Sequence, residues 1–204
     1  VIVFDNFCNS SPESVARVQQ ITGRSLALVK GDIRNRDQLE SVLREFKCDA
    51  VIHFAGLKAV GESVEKPLMY YDNNVVGTVR LLEAMEATGV KTIVFSSSAT
   101  VYGDPQYLPL TESHPLSASN PYGRSKIVIE DIDAGRGLID LVVAPEQLVA
   151  SNAPGVVSAD TTEFSSSGET LIQSLGKSLS KSLTVVELGV PGGGLDVFLR
   201  QLGW

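Results

Sequence analysis

Two side chains four residues apart suggest a site for proton transfer. Tyr122 and Lys126 lie in the segment Pro-Tyr-Gly-Arg-Ser-Lys that begins at Pro121. Residues four apart on a helix share one face, so the ammonium group would lie beside the phenol. A phenol ordinarily titrates at about 10, and a nearby cation lowers that pKa because it favours the phenolate. The pair could therefore act as a base near neutral pH.

A run of serines upstream could complete such a site. Ser96, Ser97 and Ser98 follow an apolar run, and one of their hydroxyls could share the proton that the tyrosine takes. Together these groups could oxidise an alcohol to a ketone. An isolated Tyr-x-x-x-Lys spacing is more often an ordinary surface pair, so the surroundings decide its meaning.

Composition narrows the class of protein. The chain has 204 residues, of which 43% are hydrophobic and 20% charged, as in an ordinary globular protein. Its net charge of -7 argues against nucleic acid or an anionic membrane as a partner. Cys8 and Cys48 lack metal-ligand spacing, which predicts thiols in a reducing, cytoplasmic compartment and no metal site. We expect neither a membrane span nor a leader peptide.

Apolar strand-like runs alternate with helical patterns through the first two thirds of the chain. The expected strands are residues 1–4, 26–30, 50–54 and 92–95, and the expected helices are 12–21, 35–46, 62–87 and one that begins at 119 or 120. This alternation predicts an α/β fold with a Rossmann-like, doubly wound parallel sheet and helices on both faces.

Polar or glycine-marked residues follow each predicted strand. They are Asp5, Asp32, the Ala55-Gly56 pair and the three serines. Ligands of doubly wound sheets bind beyond the carboxyl ends of the strands. A turn explains any one of these residues, but their convergence at one edge predicts a ligand crevice.

The composition changes after about Ile132. Residues 133–204 contain no His, Tyr, Met or Cys, and 151–170 are rich in Ser, Thr, Gly and Ala, which predicts a linker or disorder. Two apolar runs, 138–144 and 183–188, could each form a strand. We therefore place a boundary near residue 132, followed by an unrelated or poorly ordered tail, 133–204.

Six stretches of the first part resemble the UDP-glucose 4-epimerases of the extended short-chain dehydrogenase/reductase superfamily. They are residues 5–10, 31–34, 53–63, 70–74, 95–103 and 121–126. Several are specific to the epimerases, and the resemblance covers residues 1 to about 132. It implies a partial NAD-binding domain, a UDP-sugar substrate and a possible homodimer through the long helix and the helix that bears Tyr122.

The resemblance also implies a site for NAD. Asp5 would accept hydrogen bonds from the adenosine ribose, and its charge would disfavour the 2′-phosphate of NADP. Asp32 and Ile33 would hold the adenine, and Lys58 would offer positive charge to the pyrophosphate. The other expected contacts are Asn6, Asn9, Ser10, Phe54, Ala55, Gly56, Asn73 and Ser96, with Tyr122 and Lys126.

Ser98, Tyr122 and Lys126 would be the catalytic residues by the same resemblance. Tyr122 would take the proton of the sugar 4-hydroxyl while a hydride passes to NAD, and the hydride would return to the other face of the 4-ketose. Related 4,6-dehydratases carry an Asp-Glu pair after the position of Ser98. Here Ala99 and Thr100 stand there, neither of which is an acid or base, so a dehydratase is disfavoured.

Four other polar or aromatic residues are no better explained by function than by structure. His53 lies within an apolar run and is expected to be a packed core residue, whereas His114 precedes Pro115 and is expected to be a solvated turn residue. Tyr70 and Tyr71 fall on the long predicted helix and serve packing as readily as function.

The sequence also departs from the family pattern. The family opens with a strand and a G-x-x-G-x-x-G loop that binds pyrophosphate, and we expect this unit to be missing from the start of the chain. The missing strand would be central, so its absence would leave two unpaired strand edges. Residues 183–188 could fold back into that position, followed by the glycine-rich segment 189–194. However, Pro191 removes a backbone donor and Leu195 replaces the third glycine.

Two other interpretations of the tail stay open. The glycine-rich segment could be a turn before a short terminal helix, or the tail could be sequence unrelated to the family. The function accordingly has an alternative, a catalytically inactive nucleotide-binding or dimerisation fragment.

Overall fold

The computed structural model describes residues 1–108, 110–111, 113–136, 139–143 and 184–186. These residues contain six parallel strands in one sheet. The strands are β1 (Ile2–Asp5), β2 (Ala27–Lys30), β3 (Ala50–His53), β4 (Thr92–Ser96), β5 (Ile139–Val143) and β6 (Thr184–Val186). Their order across the sheet is β2-β1-β6-β3-β4-β5, which confirms the predicted parallel α/β architecture. In this part of the chain no helix has the length and apolar character needed to cross a membrane.

The two faces of the sheet are covered by different helices, α1 (Pro12–Thr22) on one face and α2 (Arg36–Glu45) with α5 (Gly77–Thr88) on the other. The side chains of β1 show this directly, because successive residues of a strand point to opposite faces of the sheet. Val3 packs against Val15 of α1. Its neighbours Ile2 and Phe4 belong to the main core cluster, which includes residues of α2 and α5. Both faces of the sheet are therefore buried.

The first two helices begin where their capping residues predict. Ser11 precedes α1, and its side chain accepts a hydrogen bond from the backbone N–H of Glu13 at 3.3 Å. The helix ends at Gly23, whose φ of 66° is the left-handed conformation that glycine adopts without strain. Asn35 caps α2 by accepting from the N–H of Gln38 at 3.1 Å.

The helical region predicted for residues 62–87 is confirmed, but the expectation that it forms a single helix is wrong. The structure divides this region into α3 (Val60–Glu65), α4 (Pro67–Tyr70), a π-helix (Tyr71–Val76) and α5. The break falls at Lys66, with φ -129° and ψ 56°, because a residue that precedes proline is sterically excluded from the helical region. The π-helix then changes which side chains of the following turn face inward.

The central position of the sheet is filled by β6. Val185 pairs with Val3 of β1 on one side and with Ile52 of β3 on the other. Of the alternatives weighed for the tail, the structure therefore places part of the run 183–188 in the slot that otherwise stays vacant. The physical reason is that both flanking strands present backbone donors and acceptors that need partners inside a buried sheet.

A second segment beyond residue 132 also joins the sheet. Helix α6 (Pro121–Arg136) extends past that residue, and β5 pairs with β4 at the sheet edge. The glycine-rich segment 189–194, Leu195 and the run 151–170 lie outside the described residues. The domain boundary near 132 stays a prediction.

A proline at position 185 tests the central strand. We expect Val185→Pro to lower the free energy of unfolding by roughly 2–3 kcal/mol or more, because proline cannot donate to the neighbouring strand and is not tolerated within a central strand. Urea unfolding followed by circular dichroism measures the change. Val185→Ala keeps the N–H and is the matched control; equal losses in the two variants would place residue 185 outside the sheet.

Candidate functional site

The polar ends of four strands lie at one edge of the sheet. Asp5 ends β1, Asp32 follows β2, Gly56 follows β3, and Ser96 ends β4. The strands are all parallel, so their carboxyl ends meet at this edge, as the sequence predicts.

Asp5 is buried and held in one orientation. The hydroxyl of Ser10 donates to both carboxylate oxygens at 2.8 Å, and the backbone N–H of Phe7 donates to Oδ1 at 2.7 Å. Only 1% of Asp5 is exposed. Phe7 has a φ of 58°, which turns the chain sharply back over the carboxylate. The structure thus brings together Asp5 and Ser10, two of the expected cofactor contacts.

Asp32 lies beside this group. It accepts hydrogen bonds from the side-chain amide of Asn6 at 3.2 Å and from Arg34. The Arg34 guanidinium holds the pKa of Asp32 well below its usual range. Asn9 donates to the carbonyl of Gly56 at 3.5 Å, so the segment after β1 also contacts the segment after β3.

Ile33 is a core residue. It is 1% exposed, and it belongs to the main core cluster. A Cβ on Gly77 would lie only 2.5 Å from its Cδ1, so glycine at the start of α5 is what makes room for this side chain. The side chain of Ile33 therefore packs beneath the edge instead of lining it.

Tyr122 and Lys126 are buried side by side on α6. Lys126 Nζ donates to the backbone carbonyl of Ser96 at 2.8 Å, and it lies 5.8 Å from the centre of the Tyr122 ring. The ammonium also lies 4.6 Å from the centre of the Phe95 ring. A buried cation needs such partners, since burial without them is costly. The spacing in the sequence correctly predicts this pair, and the contact with β4 is what fixes its position.

Gly123 allows α6 to approach the segment that contains Ser98. A Cβ at Gly123 would lie 2.7 Å from the carbonyl oxygen of Thr100, closer than real contacts permit. Ser98 begins the short 3-10 helix Ala99–Tyr102, and its hydroxyl accepts from the N–H of Thr100 at 3.2 Å. The Ser98 and Thr100 hydroxyl oxygens lie 2.9 Å apart. Ser98 thus lies beside the turn of α6 that bears Tyr122.

Glu130 is a site-adjacent residue that the sequence analysis missed. It lies one helical turn beyond Lys126 and accepts a hydrogen bond from the Ser97 hydroxyl. Burial raises the pKa of Glu130, while the Ser97 bond and the charge of Lys126 oppose that rise. Its spacing of four from Lys126 is the only signal in the sequence. Helix α6 is therefore fastened to consecutive residues of β4 and its extension.

Asn74 is a second missed residue. Its Oδ1 accepts from the N–H of Leu57 at 2.8 Å and from the Asn73 amide at 3.0 Å. Its Nδ2 donates to the Leu57 carbonyl at 2.9 Å and to the Ser125 hydroxyl at 3.2 Å. All donors and acceptors of this 1% exposed amide are used, so Asn74 joins the π-helix, the loop after β3 and α6.

The prediction for His53 is confirmed, and the prediction for His114 is not. His53 is fully buried and donates through Nε2 to the Thr78 hydroxyl at 2.8 Å, since that hydroxyl itself donates to the Asn74 carbonyl. Burial lowers the pKa of His53 to about 3. This confirms the expected packed core residue.

The expectation of a solvated His114 is wrong. His114 is 2% exposed, and its Nε2 accepts from the backbone N–H of Gln106 at 3.0 Å. Its Nδ1 lies 2.9 Å from the Pro115 carbonyl, and the rings of Tyr102 and Tyr107 enclose it. Contacts between residues distant along a loop bury this imidazole, and no spacing in the sequence shows them.

The parallel sheet and its polar carboxyl edge define a Rossmann-like α/β protein. Residues 1–134 match the family described as GDP-mannose 4,6 dehydratase, and the chain belongs to that family. These residues form the larger part of the 204-residue chain.

Similarity to individual proteins is more specific. The chain is 57% identical over 134 residues to a UDP-glucose 4-epimerase of Cyamopsis tetragonoloba, covering 64% of this chain and 38% of that protein. It is 56% identical over 132 residues to the UDP-glucose 4-epimerase of Bacillus subtilis strain 168, covering 65% and 39%. These matches confirm the resemblance. The chain spans about two fifths of the length of these curated relatives.

A solved structure is similar over more of the chain. The UDP-glucose 4-epimerase from Stenotrophomonas maltophila, solved with bound NAD and formylated UDP-arabinopyranose, superposes with a TM-score of 0.67 at 35% identity. The match covers 88% of this chain and 55% of that one. The Rossmann-like fold is therefore shared with an enzyme that holds NAD.

Removing the Asn74 side chain tests its bridging role. Asn74→Ala removes the side-chain partner of the part-buried N–H and C=O of Leu57, and we expect a loss of roughly 2–4 kcal/mol in the free energy of unfolding. Asn73→Ala is the matched control because it removes one hydrogen bond from a neighbouring side-chain amide. For this variant we expect a loss of about 1 kcal/mol in the free energy of unfolding. Equal losses on urea unfolding would contradict the role given to Asn74.

His53 predicts a pH dependence of stability. Its folded pKa of about 3 lies below the unfolded value of 6.5, so protons bind the unfolded state preferentially as pH falls below about 6.5. The stability present above that pH is lost progressively towards the folded pKa. Between pH of about 7.5 and about 5 we expect a loss of about 2 kcal/mol from this residue. Chemical unfolding at both pH values should show that loss in the unsubstituted chain and not in His53→Gln. An equal change in the free energy of unfolding between the two pH values in both proteins would contradict the prediction.

Proposed function

We propose that this chain carries the NAD-binding and proton-transfer part of a UDP-glucose 4-epimerase, interconverting UDP-glucose and UDP-galactose through a 4-keto intermediate. The single observation that carries the proposal is the buried Tyr122–Lys126 pair, anchored through Lys126 to the Ser96 carbonyl. This pair lies at the sheet edge that also bears Asp5 and Asp32. A cytoplasmic location and a UDP-sugar partner belong to the same proposal.

The residues at the edge fit NAD. Asp5 is an oriented carboxylate at the end of β1, suited to a ribose diol and unsuited to a 2′-phosphate. Asp32 follows the neighbouring strand, where the adenine would lie. The segment from Phe54 to Lys58 would contact the pyrophosphate and nicotinamide ribose, together with Asn73, Ser96, Tyr122 and Lys126. NAD would supply a hydride acceptor that returns the same hydride.

Tyr122 would take the proton from the sugar 4-hydroxyl as the hydride leaves C4. Lys126 favours the phenolate because its ammonium is fixed near the ring. Ser98 would share the proton through its hydroxyl, which lies against Thr100. When the ketose presents its other face, Tyr122 would return the proton to the new hydroxyl. The pair thus acts as base and then as acid.

Two residues favour an epimerase over a dehydratase, although the family bears a dehydratase description. Elimination of water needs an acid and a base beside the serine. Ala99 and Thr100 follow Ser98, and neither side chain can serve as either. Among the relatives matched, proteins named UDP-glucose 4-epimerase share more than half of the aligned residues.

Exposed apolar side chains favour a second candidate, an inactive dimerisation fragment. Val64 of α3 and Leu68 of α4 are 62% and 83% exposed, and Val128 of α6 is also exposed. Both α3 and α4 pack against α6, so these residues belong to one group of helices. Self-association without any binding of NAD would favour this candidate. Association with NAD binding would fit a homodimeric enzyme.

Binding and turnover test the proposal in sequence. We expect the purified chain to bind NAD, measured by calorimetry. Any turnover of UDP-galactose should fall about 100-fold or more in Tyr122→Phe, because general acid–base catalysis typically contributes that much. Tyr107→Phe is the matched control, because the Tyr107 hydroxyl lies 3.1 Å from the Thr111 hydroxyl in an exposed part of the loop.

Two results would refute the proposal. The first is absence of NAD binding by the unsubstituted, folded chain. The second is turnover that survives Tyr122→Phe at the level of Tyr107→Phe, which would place the chemistry elsewhere.

A further inference from the structure

Arg34 fills three of the four hydrogen-bonding positions on the Asp32 carboxylate. Its backbone N–H and its Nε both donate to Oδ1 at 2.9 Å, and its Nη2 donates to Oδ2 at 2.7 Å. The side-chain contacts form the paired, planar arrangement in which arginine recognises a carboxylate. Residues 32 and 34 are therefore locked together in the loop that follows β2.

The fourth position on Asp32 is weaker and is supplied from a different strand. Asn6 Nδ2 donates to Oδ2 at 3.2 Å, the longest of the four contacts. Asn6 directly follows Asp5, the residue assigned to the adenosine ribose. A ligand lying between Asp5 and Asp32 would meet this one position first, since replacing a single long bond costs less than breaking the charged fork.

Arg34 is itself held from its far side. Its Nη1 contacts Asp72 Oδ2 at 2.7 Å, and Asp72 lies in the π-helix one residue before Asn73. The two carboxylates raise the pKa of Arg34 further above its ordinary value, so it stays a cation. An open cleft of about 490 Å³ borders this group and gives a ligand access to it. The cleft is lined by Asp32, Arg34, Asn35, Arg36 and Asp37.

We propose that Arg34 is a positioning residue that sets base specificity by aiming the one Asp32 lone pair that it does not itself occupy, the position held by Asn6, at the base of the dinucleotide. A carboxylate fixed in this way only accepts, so it favours a base with an amino group at this place over one with a carbonyl oxygen. The amino group of adenine would replace the Asn6 amide on Oδ2. This role rests on the proposed function, in which Asp32 holds the adenine of NAD.

A comparison of two dinucleotides tests this role. NAD carries the amino group, whereas nicotinamide hypoxanthine dinucleotide carries a carbonyl oxygen in its place and a proton on the adjacent ring nitrogen N1. We expect the unsubstituted chain to bind NAD about tenfold more tightly than the hypoxanthine dinucleotide. This is the affinity difference expected when one hydrogen bond to a carboxylate is replaced by a repulsive contact between two acceptors. In Arg34→Ala the carboxylate can turn into solvent, and we expect the preference to fall to within about twofold. Calorimetry measures both affinities.

Two further variants separate positioning from charge and from fold. Arg34→Lys keeps the positive charge but cannot form the fork, so we expect it to lose the preference as Arg34→Ala does. Asp72→Ala removes only the outer contact of Arg34, so we expect it to keep the preference. Thermal unfolding of each variant checks that the fold persists, as expected for the partly exposed side chains of Arg34 and Asp72.

The outcomes distinguish this inference from the proposed function. If the unsubstituted chain binds NAD with a preference that Arg34→Ala retains, Arg34 does not aim Asp32, and only this inference is overturned. A preference restored by Arg34→Lys would also overturn it, because charge without the fork would then suffice. If the unsubstituted chain binds neither dinucleotide, the proposed function and this inference are both overturned.

Discussion

Strands inside a buried parallel sheet need hydrogen-bond partners on both sides, and the whole structure depends on how that need is met between β1 and β3. Strand β6 begins 131 residues beyond the end of β3 and lies between the two strands. This pairing holds β1 and β3 in one sheet and in parallel register. Without it, Asp5 and Gly56 would not be held in this relation across the carboxyl edge of the sheet. A remote segment therefore determines the geometry of residues near the start of the chain.

Helix α6 depends in turn on that edge. Lys126 and Glu130 contact Ser96 and Ser97, and Gly123 permits the close approach to Thr100. These contacts place a cation and a phenol where an alcohol could be oxidised. The Asn74 amide ties the same helix to the loop after β3 through Ser125 and Leu57. The loop after β3, the π-helix and α6 are thus joined by hydrogen bonds through one amide.

Much of this arrangement follows from local rules. Capping by Ser11 and Asn35 predicts the starts of α1 and α2, and the i, i+4 spacing predicts the shared face of Tyr122 and Lys126. The apolar period of residues 62–87 misleads, because it does not register that Pro67 excludes Lys66 from the helical conformation. His114 misleads for another reason, since its burial depends on Tyr102 and Tyr107, which no local pattern links to it.

The sequence by itself determined the alternation of strands and helices, the residues at the strand ends and the Ser98, Tyr122 and Lys126 set. These features depend on side-chain periodicity and on residue types that neighbouring positions reveal. Only the tertiary structure decided that β6 lies at the centre of the sheet, that Arg34 occupies Asp32, and that Asn74 and Glu130 fasten the elements together. Such contacts form where backbone groups and charges buried by folding would otherwise lack partners. Which groups these are depends on the packing of the whole chain.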